Sequence, residues 1–121
     1  MKKVFSILLI FLVLSCKKGN EDDFGQPKSN EIISGKELFD NKGNCVACHQ
    51  AEQKIIGPSL VEIAKIYKEK NASIVAFLQE QSEPIVDPSQ YDVMKTNFAI
   101  TKSMTEEELK ALEDYIFSFS K

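Results

Sequence analysis

Hydrophobic side chains recur at spacings of three and four residues in four segments of the chain, which is the pattern of an amphipathic helix. Three of these segments open with a Ser or Thr followed three residues later by Glu, the capping-box pattern. These pairs are Ser34 with Glu37, Ser59 with Glu62, and Thr105 with Glu108. The remaining segment runs from about Ala72 to Gln81. No segment shows the sustained alternation of a strand, so the sequence predicts an all-α fold of about four short helices.

Two long loops separate the predicted helices. One runs from Asn41 to Pro58 and the other from Pro84 to Met104. In a compact domain, loops longer than about 12–15 residues are usually functional. Short helices around two such loops bury little apolar surface. The sequence therefore predicts that something besides protein fills part of the core.

The N-terminus has the three-part layout of a secretory signal peptide. Lys2 and Lys3 precede an apolar run, Val4 to Leu14, that only Ser6 interrupts. At 11 residues the run is shorter than the roughly 20 that a membrane-spanning helix needs. We therefore expect residues 1–15 to be removed on export.

The apolar run ends at Cys16, in the sequence Leu14-Ser15-Cys16. This resembles the lipobox of bacterial lipoproteins, in which cleavage precedes the Cys and the Cys then receives lipid. Residues 16–32 are polar and contain Gly and Pro, so they predict a flexible tether. The folded domain is expected over residues 33–121, in a periplasm or cell envelope, with the lipid on Cys16 anchoring it to a membrane. The alternative is an ordinary signal peptide followed by a chance Cys.

Composition narrows the function classes. The 121 residues suffice for one domain, and 43% of them are hydrophobic, too many for a disordered chain. The 15 Lys+Arg against 18 Asp+Glu give a net charge of −3. Removing residues 1–15, which hold two lysines and no acid, leaves 13 against 18, or −5. A nucleic-acid-binding protein would carry a basic surface, so no nucleic-acid partner is expected.

Cys45, Cys48 and His49 form the C-x-x-C-H pattern of c-type haem attachment. Two thiols at this spacing can add to the two vinyl groups of a haem. The next residue then lies under the ring, where its imidazole can bind the iron. His49 is the one histidine of the chain. The sequence therefore predicts one haem c, held covalently through Cys45 and Cys48, with His49 as an iron ligand.

Other uses of this motif fit the sequence less well. A thioredoxin-like C-x-x-C would lie in a βαβ context, which the pattern does not predict. A structural zinc site needs four ligands, and this segment supplies three. A disulfide is possible in an exported protein but would not explain His49. A haem-free thiol-redox lipoprotein stays open as an alternative, and it would show no covalent haem.

With these residues in place, the sequence resembles small class I c-type cytochromes. Three short patterns resemble the family's N-terminal helix, the segment after the attachment motif, and the C-terminal helix that crosses the first. They are Gly35-x-x-x-Phe39, Gly57-Pro58-x-Leu60 and Leu112-x-x-Tyr115-Ile116. The resemblance extends over about residues 33–118. It implies a cytochrome c fold with long loops around a single haem.

The resemblance further implies a second iron ligand, usually a Met from the loop before the last helix. Met94 and Met104 are the candidates, since Met1 is lost with the signal peptide. Met104 directly precedes the predicted N-cap Thr105, where it is expected to pack on Leu109 as a hydrophobic staple. Met94 lies in mid-loop, free to reach the iron. Met94 is therefore the predicted ligand and Met104 the alternative, and both could instead fill gaps in the core.

By the same resemblance, the backbone carbonyl of Pro58 would accept the Nδ1–H of His49. This bond would fix the tautomer and make His49 a better donor to iron. Eight apolar side chains are candidates for the wall of the haem pocket, although ordinary core packing would also explain each of them. They are Phe39, Leu60, Ile63, Tyr67, Phe77, Leu78, Phe98 and Leu112.

His and Met together would fill both axial positions of the iron, leaving no open site for a substrate. The predicted function is therefore one-electron transfer by iron cycling between Fe(II) and Fe(III), in a protein that is not an enzyme and has no small-molecule substrate. A haem enzyme or ligand sensor with a labile sixth ligand is the alternative. The expected partners are redox proteins, steered by charge towards lysines in or beside the two long loops. These lysines are Lys42, Lys54, Lys95 and Lys102.

Overall fold

The computed structural model describes residues 33–121, and all regular structure in this range is helical. Helix α1 spans Gly35–Glu37 and continues as a π-helical turn over Leu38–Lys42. A 3₁₀ turn at Cys45–Ala47, α2 at Leu60–Glu69 and α3 at Ile74–Leu78 follow. A 3₁₀ turn at Pro88–Gln90 leads into α4 at Tyr91–Lys95, and α5 at Phe98–Thr101 and α6 at Glu106–Phe117 complete the domain. The all-α prediction is confirmed.

The predictions for the N-terminus lie outside the described residues. They are the signal peptide over residues 1–15, the lipid on Cys16 and the tether over residues 16–32. Within residues 33–121, no helix combines the length and the apolar character needed to cross a membrane.

The predicted N-caps are in place. Ser34, Ser59 and Thr105 each accept a hydrogen bond from the backbone N–H three residues on, at 3.2 Å. Among the described residues, the complete capping box forms at Thr105, where the Glu108 carboxylate accepts from the Thr105 N–H at 2.9 Å. Local sequence therefore sets where α1, α2 and α6 begin.

Helix α3 is shorter than the predicted segment from Ala72 to Gln81. Its N-cap is Ser73, whose hydroxyl accepts from the Ala76 N–H at 3.1 Å. Two residues after the helix, Glu80 has a φ of 56°, in the left-handed region that a helix cannot continue through. The predicted segment is therefore longer than the helix at both ends.

The predicted loop from Pro84 to Met104 is largely helical, and this part of the prediction is wrong. It contains the 3₁₀ turn at Pro88–Gln90, α4 and α5, none of which has a side-chain cap. Helices this short are not stable alone. Tertiary packing holds them instead: Phe98 is buried, and Thr101 Oγ1 donates to the Leu78 carbonyl at 2.7 Å.

The core lies where α1 and α6 cross, with α2 and α3 packed against α6. A Cβ atom on Gly35 would overlap the Ala111 carbonyl oxygen, so the two helices touch through backbone atoms. Leu38, Leu109 and Leu112 are fully buried beside this crossing. The crossing of the first and last helices is the arrangement that the family resemblance implied.

One buried carboxylate ties α6 to the start of α3. Glu113 Oε1 accepts from the N–H groups of Ile74 and Val75 at 2.9 and 3.3 Å and from Ser73 Oγ at 3.2 Å. Its Oε2 accepts from Lys110 Nζ at 3.0 Å. Burial acts to raise the pKa of Glu113, but the bonds from Lys110 and the two amides outweigh it and lower the pKa below 4.5.

Glu113→Gln is expected to lower the free energy of unfolding by about 1–2 kcal/mol at pH 7, because the amides then lose a charged acceptor. Because folding lowers the pKa of Glu113, its charge stabilises the folded protein above pH 4.5. This stabilisation is lost as the pH falls through the lowered pKa of Glu113 in the folded protein. The variant should therefore lose less stability than the parent between about pH 5 and pH 3. Urea titrations across this range test it. Glu107→Gln, an exposed glutamate of the same helix, should leave the pH profile unchanged.

Candidate cofactor site

A large cleft lies beside α2, bordered by the turn that follows α1 and by the segment that leads into α4. It contains about 1150 Å³ of space free of protein atoms, part of it open to solvent. Cys45, Cys48, His49, Pro58 and Met94 all line it. The structure therefore brings together the five residues that the sequence predicted to attach, ligate or orient the cofactor, and their bonds to it stay predictions.

A tight turn presents the attachment motif to this cleft. Asn44 has a φ of 51°, a left-handed conformation that Asn tolerates better than most residues. The chain then enters the 3₁₀ turn at Cys45–Ala47, where the N–H groups of Cys48 and His49 donate to the Cys45 carbonyl at 3.1 and 2.9 Å. The two thiols and the imidazole are thus held by one short piece of backbone.

The ring of His49 is oriented by Pro58. His49 Nδ1 lies 2.7 Å from the Pro58 carbonyl oxygen. Because a carbonyl can only accept, the proton is on Nδ1, and Nε2 is left as the free base. Burial lowers the pKa of His49, and the bond to Pro58 opposes this without cancelling it. The imidazole is therefore neutral at pH 7, as a metal ligand must be.

Gly57 packs directly against the imidazole. A Cβ atom at this position would lie 2.8 Å from His49 Nδ1 and 3.0 Å from Nε2. The loop is fixed there, because the Gly57 N–H donates to the Cys48 carbonyl at 2.8 Å. Only glycine leaves room for the ring in its present orientation.

Gly57→Ala is expected to turn the His49 ring and break its bond to Pro58. Forcing an extra methyl group into a packed site typically costs about 1–3 kcal/mol, so the free energy of unfolding should fall by a similar amount. The Nδ1 proton resonance of His49, followed by NMR, should shift or disappear. Gln53→Ala, at an exposed position of the same loop, is the control, and an unchanged resonance in Gly57→Ala would contradict the prediction.

Cys45 lacks the properties of a redox-active thiol. Cys45 is buried, Cys48 is half-buried, and both are free. Burial raises the pKa of Cys45 to about 11, whereas redox-active thiols have lowered pKa values and are accessible. Among the described residues, no group of three or more His, Cys, Asp or Glu side chains is arranged to hold a metal ion.

The two candidate methionines lie in different surroundings. Met94, in α4, is half-buried and lines the cleft. Met104 is 7% exposed and belongs to the hydrophobic core, and it is not among the residues that line the cleft. The structure thus brings Met94 to the same cleft as His49 and buries Met104 beside Gly43, where its Cε is 3.4 Å from the position of an added Cβ.

Seven of the eight predicted wall residues line the cleft. They are Phe39, Leu60, Ile63, Tyr67, Phe77, Leu78 and Leu112. Phe98 does not line it. Its ring packs edge-on against Phe77 with centroids 5.4 Å apart, so it supports the wall from behind.

Sequence reasoning missed the wall contributed by the segment from Pro84 to Asn97. Ile85, Val86, Tyr91, Val93 and Asn97 all line the cleft there. The available signals were the apolar pair Ile85-Val86 within a polar stretch and the placement of Tyr91 and Asn97 three residues on either side of Met94. If this segment had been predicted to be helical, these residues would have been identified as part of the wall.

The four lysines expected to steer redox partners all have partners of their own. Lys95 Nζ lies 5.4 Å from the centroid of the Tyr91 ring, in a cation–π arrangement. The other three donate to carboxylates at 2.6–2.7 Å: Lys42 to Glu108, Lys54 to Asp87 and Lys102 to Glu80. The surface around these lysines is therefore less basic than the sequence alone indicates.

Comparison with known proteins agrees with this site. The family description "Cytochrome c" matches residues 32–120, and the chain belongs to the cytochrome c family. It is also similar to cytochrome c-552 of Nitrosomonas europaea, with 53% identity over 30 residues. That match covers 25% of this chain and 29% of the relative, so the chain spans less than a third of the relative's length.

Membership of the family establishes the cofactor as haem c, attached covalently, and the single C-x-x-C-H motif means one haem. The residues present fit this group. Two free thiols and an imidazole with an unprotonated Nε2 line one cleft, and the rest of the wall is mostly apolar. Proteins of this family are usually electron carriers that act through the haem, and they are typically exported.

Proposed function

We propose that the protein is a one-electron carrier whose haem iron is held by His49 and Met94, and which is anchored to a membrane in an exported compartment by lipid on Cys16. The observation that carries the ligand assignment is the position of Met94. It lines the same cleft as Cys45, Cys48 and His49, whereas Met104 is buried in the core.

Each residue of the site has a distinct role in this function. Bound haem supplies an iron that changes between Fe(II) and Fe(III) by one electron. Cys45 and Cys48 hold the cofactor by thioether bonds, so it is not lost outside the cell interior. Pro58 keeps the proton of His49 on Nδ1, which leaves Nε2 for the iron. Met94 would be the second protein ligand of the iron, and its sulfur would keep water, O₂ and other small molecules from it.

The apolar wall serves the same function. Phe39, Leu60 and Leu112 are buried where they border the cleft, and Ile56 and Val93 border it while half-exposed. A mostly apolar interior with one partly open side would let a redox protein approach the cofactor. Such encounters bury little surface and are short-lived.

An absorption spectrum of the purified full-length protein tests the carrier function. We expect a Soret band that survives acid extraction, a charge-transfer band between Met sulfur and ferric iron, and no uptake of CO by the ferrous form. Ready binding of CO would favour a haem enzyme or ligand sensor instead. Complete extraction of the chromophore by acid would contradict covalent attachment.

Membrane anchoring is tested separately. Mass spectrometry of the protein from the membrane fraction should find a mature N-terminus at Cys16 that carries lipid. Cys16→Ala should release the protein from that fraction without changing its spectrum. Recovery of an unmodified Cys16 in the soluble fraction would contradict the anchor and leave the carrier function intact.

A further inference from the structure

One ion pair joins the two segments that bring the proposed iron ligands to the cleft. Residues 50–57 follow His49, and residues 84–90 lead directly into α4, which carries Met94. Lys54 Nζ in the first segment lies 2.6 Å from Asp87 Oδ2 in the second. Asp87 itself lines the cleft, so the pair stands at the cleft's edge.

Asp87 is held in place for this pairing. Its other oxygen, Oδ1, accepts from Ser89 Oγ at 2.5 Å, and its side chain is 15% exposed. Pro88 occupies the first position of the following 3₁₀ turn and fixes the backbone there. An exposed ion pair adds little stability when both side chains must be immobilised to form it. Here the Asp87 carboxylate is already fixed by Ser89, so only the Lys54 side chain has to be immobilised.

Helix α4 depends on contacts with other segments because few interactions within the helix stabilise it. It is five residues long, has no side-chain cap, and exposes 46% of Val93. At its far end, Asn97 Nδ2 donates to the Gly43 carbonyl at 3.0 Å. The Lys54–Asp87 ion pair is the corresponding contact on the N-terminal side of α4.

We propose that Lys54 and Asp87 are positioning residues for Met94. By tying the start of the Met94 segment to the segment that follows His49, the pair keeps Met94 on the iron and limits the entry of other ligands. This inference rests on the proposed function, in which Met94 would be the second protein ligand of the iron.

Competition by imidazole tests the proposal in the full-length haem-loaded protein. Imidazole added to the ferric form must displace Met94, and its binding is followed by loss of the charge-transfer band. Lys54→Gln and Asp87→Asn are each expected to raise the affinity for imidazole about two- to fivefold, the range that loss of an ion pair at a surface produces. The charge-swapped double variant, Lys54→Asp with Asp87→Lys, should return the affinity towards that of the parent.

The matched control is Lys102→Gln. Lys102 pairs with Glu80 at 2.7 Å and is 51% exposed, against 55% for Lys54, but neither Lys102 nor Glu80 lines the cleft. Its imidazole affinity should equal that of the parent, and urea titration should show a similar small change in stability for both single lysine variants. An equal rise in affinity in Lys102→Gln, or no rise in Lys54→Gln and Asp87→Asn, would overturn the positioning role. A parent protein without the charge-transfer band would instead overturn Met94 ligation itself.

Discussion

Replacing Gly35 by alanine is expected to lower the free energy of unfolding by about 2 kcal/mol, although alanine is the better helix former. The added Cβ would overlap the Ala111 carbonyl oxygen and lie 2.6 Å from the Cβ of Tyr115. Both obstacles are close to the backbone, so no flexible side chain can move aside. Since α1 and α6 would have to separate, the buried Leu38 and Leu112 beside the crossing would lose packing as well.

The gain in helix propensity does not offset this cost. Gly to Ala is worth about 0.5–1 kcal/mol in the middle of a helix, and Gly35 is the first residue of α1. A urea titration of the haem-loaded protein measures the difference. Glu37→Ala, an exposed change in the same short helix, should stay within about 0.5 kcal/mol of the parent. Equal stability of the Gly35 and Glu37 variants would mean that the crossing has room for a methyl group.

The elements that the sequence predicted well are those with local signals. Helix α6 has a complete capping box at Thr105 and an apolar stripe that contains Leu109, Leu112 and Ile116. Helix α2 has the Ser59 cap and the same kind of stripe. Hydrogen bonds between residues three apart and a one-sided apolar face are properties of a short stretch of chain, so the sequence shows them directly.

Helices α4 and α5 lacked such signals. Their stability comes from contacts far along the chain, such as Thr101 with the Leu78 carbonyl and Asn97 with the Gly43 carbonyl. The polar residues and Pro88 around them indicate a loop when they are considered alone. The shorter α3 has a different cause, since Glu80 turns left-handed and the helix ends before Gln81, where the predicted segment ends.

The residues of the site likewise fall into those that the local sequence predicted and those that it did not. Cys45, Cys48 and His49 are adjacent in sequence, so their chemistry was predictable from spacing, and the bond from His49 to Pro58 followed from the family resemblance. The part of the wall around Met94 depends on how the segment from Pro84 to Asn97 folds over the cleft, which no spacing rule specifies. The pairing of Lys54 with Asp87, 33 residues away, was likewise not predictable from the positions of the lysines.

Replacing Met94 by leucine should abolish the charge-transfer band of the ferric protein, whereas the same change at Met104 should preserve it. Leucine keeps nearly the volume of methionine and removes the sulfur, so each variant tests ligation rather than packing. Met94 lines the cleft and Met104 is 7% exposed in the core. In both variants we expect the free energy of unfolding to fall by less than about 1.5 kcal/mol through packing, with any further loss in Met94→Leu due to the missing ligand.

Imidazole binding gives this comparison a second measurement. Suppose that the form with Met94 on the iron is at least about ten times as populated as the form without it. Removing the sulfur should then raise the affinity for imidazole at least about tenfold, which corresponds to about 1.4 kcal/mol. Met104→Leu should bind imidazole as the parent does. Loss of the band in Met104→Leu with retention in Met94→Leu would reverse the assignment. Retention in both would mean that neither methionine holds the iron, and that the cleft position of Met94 reflects packing alone.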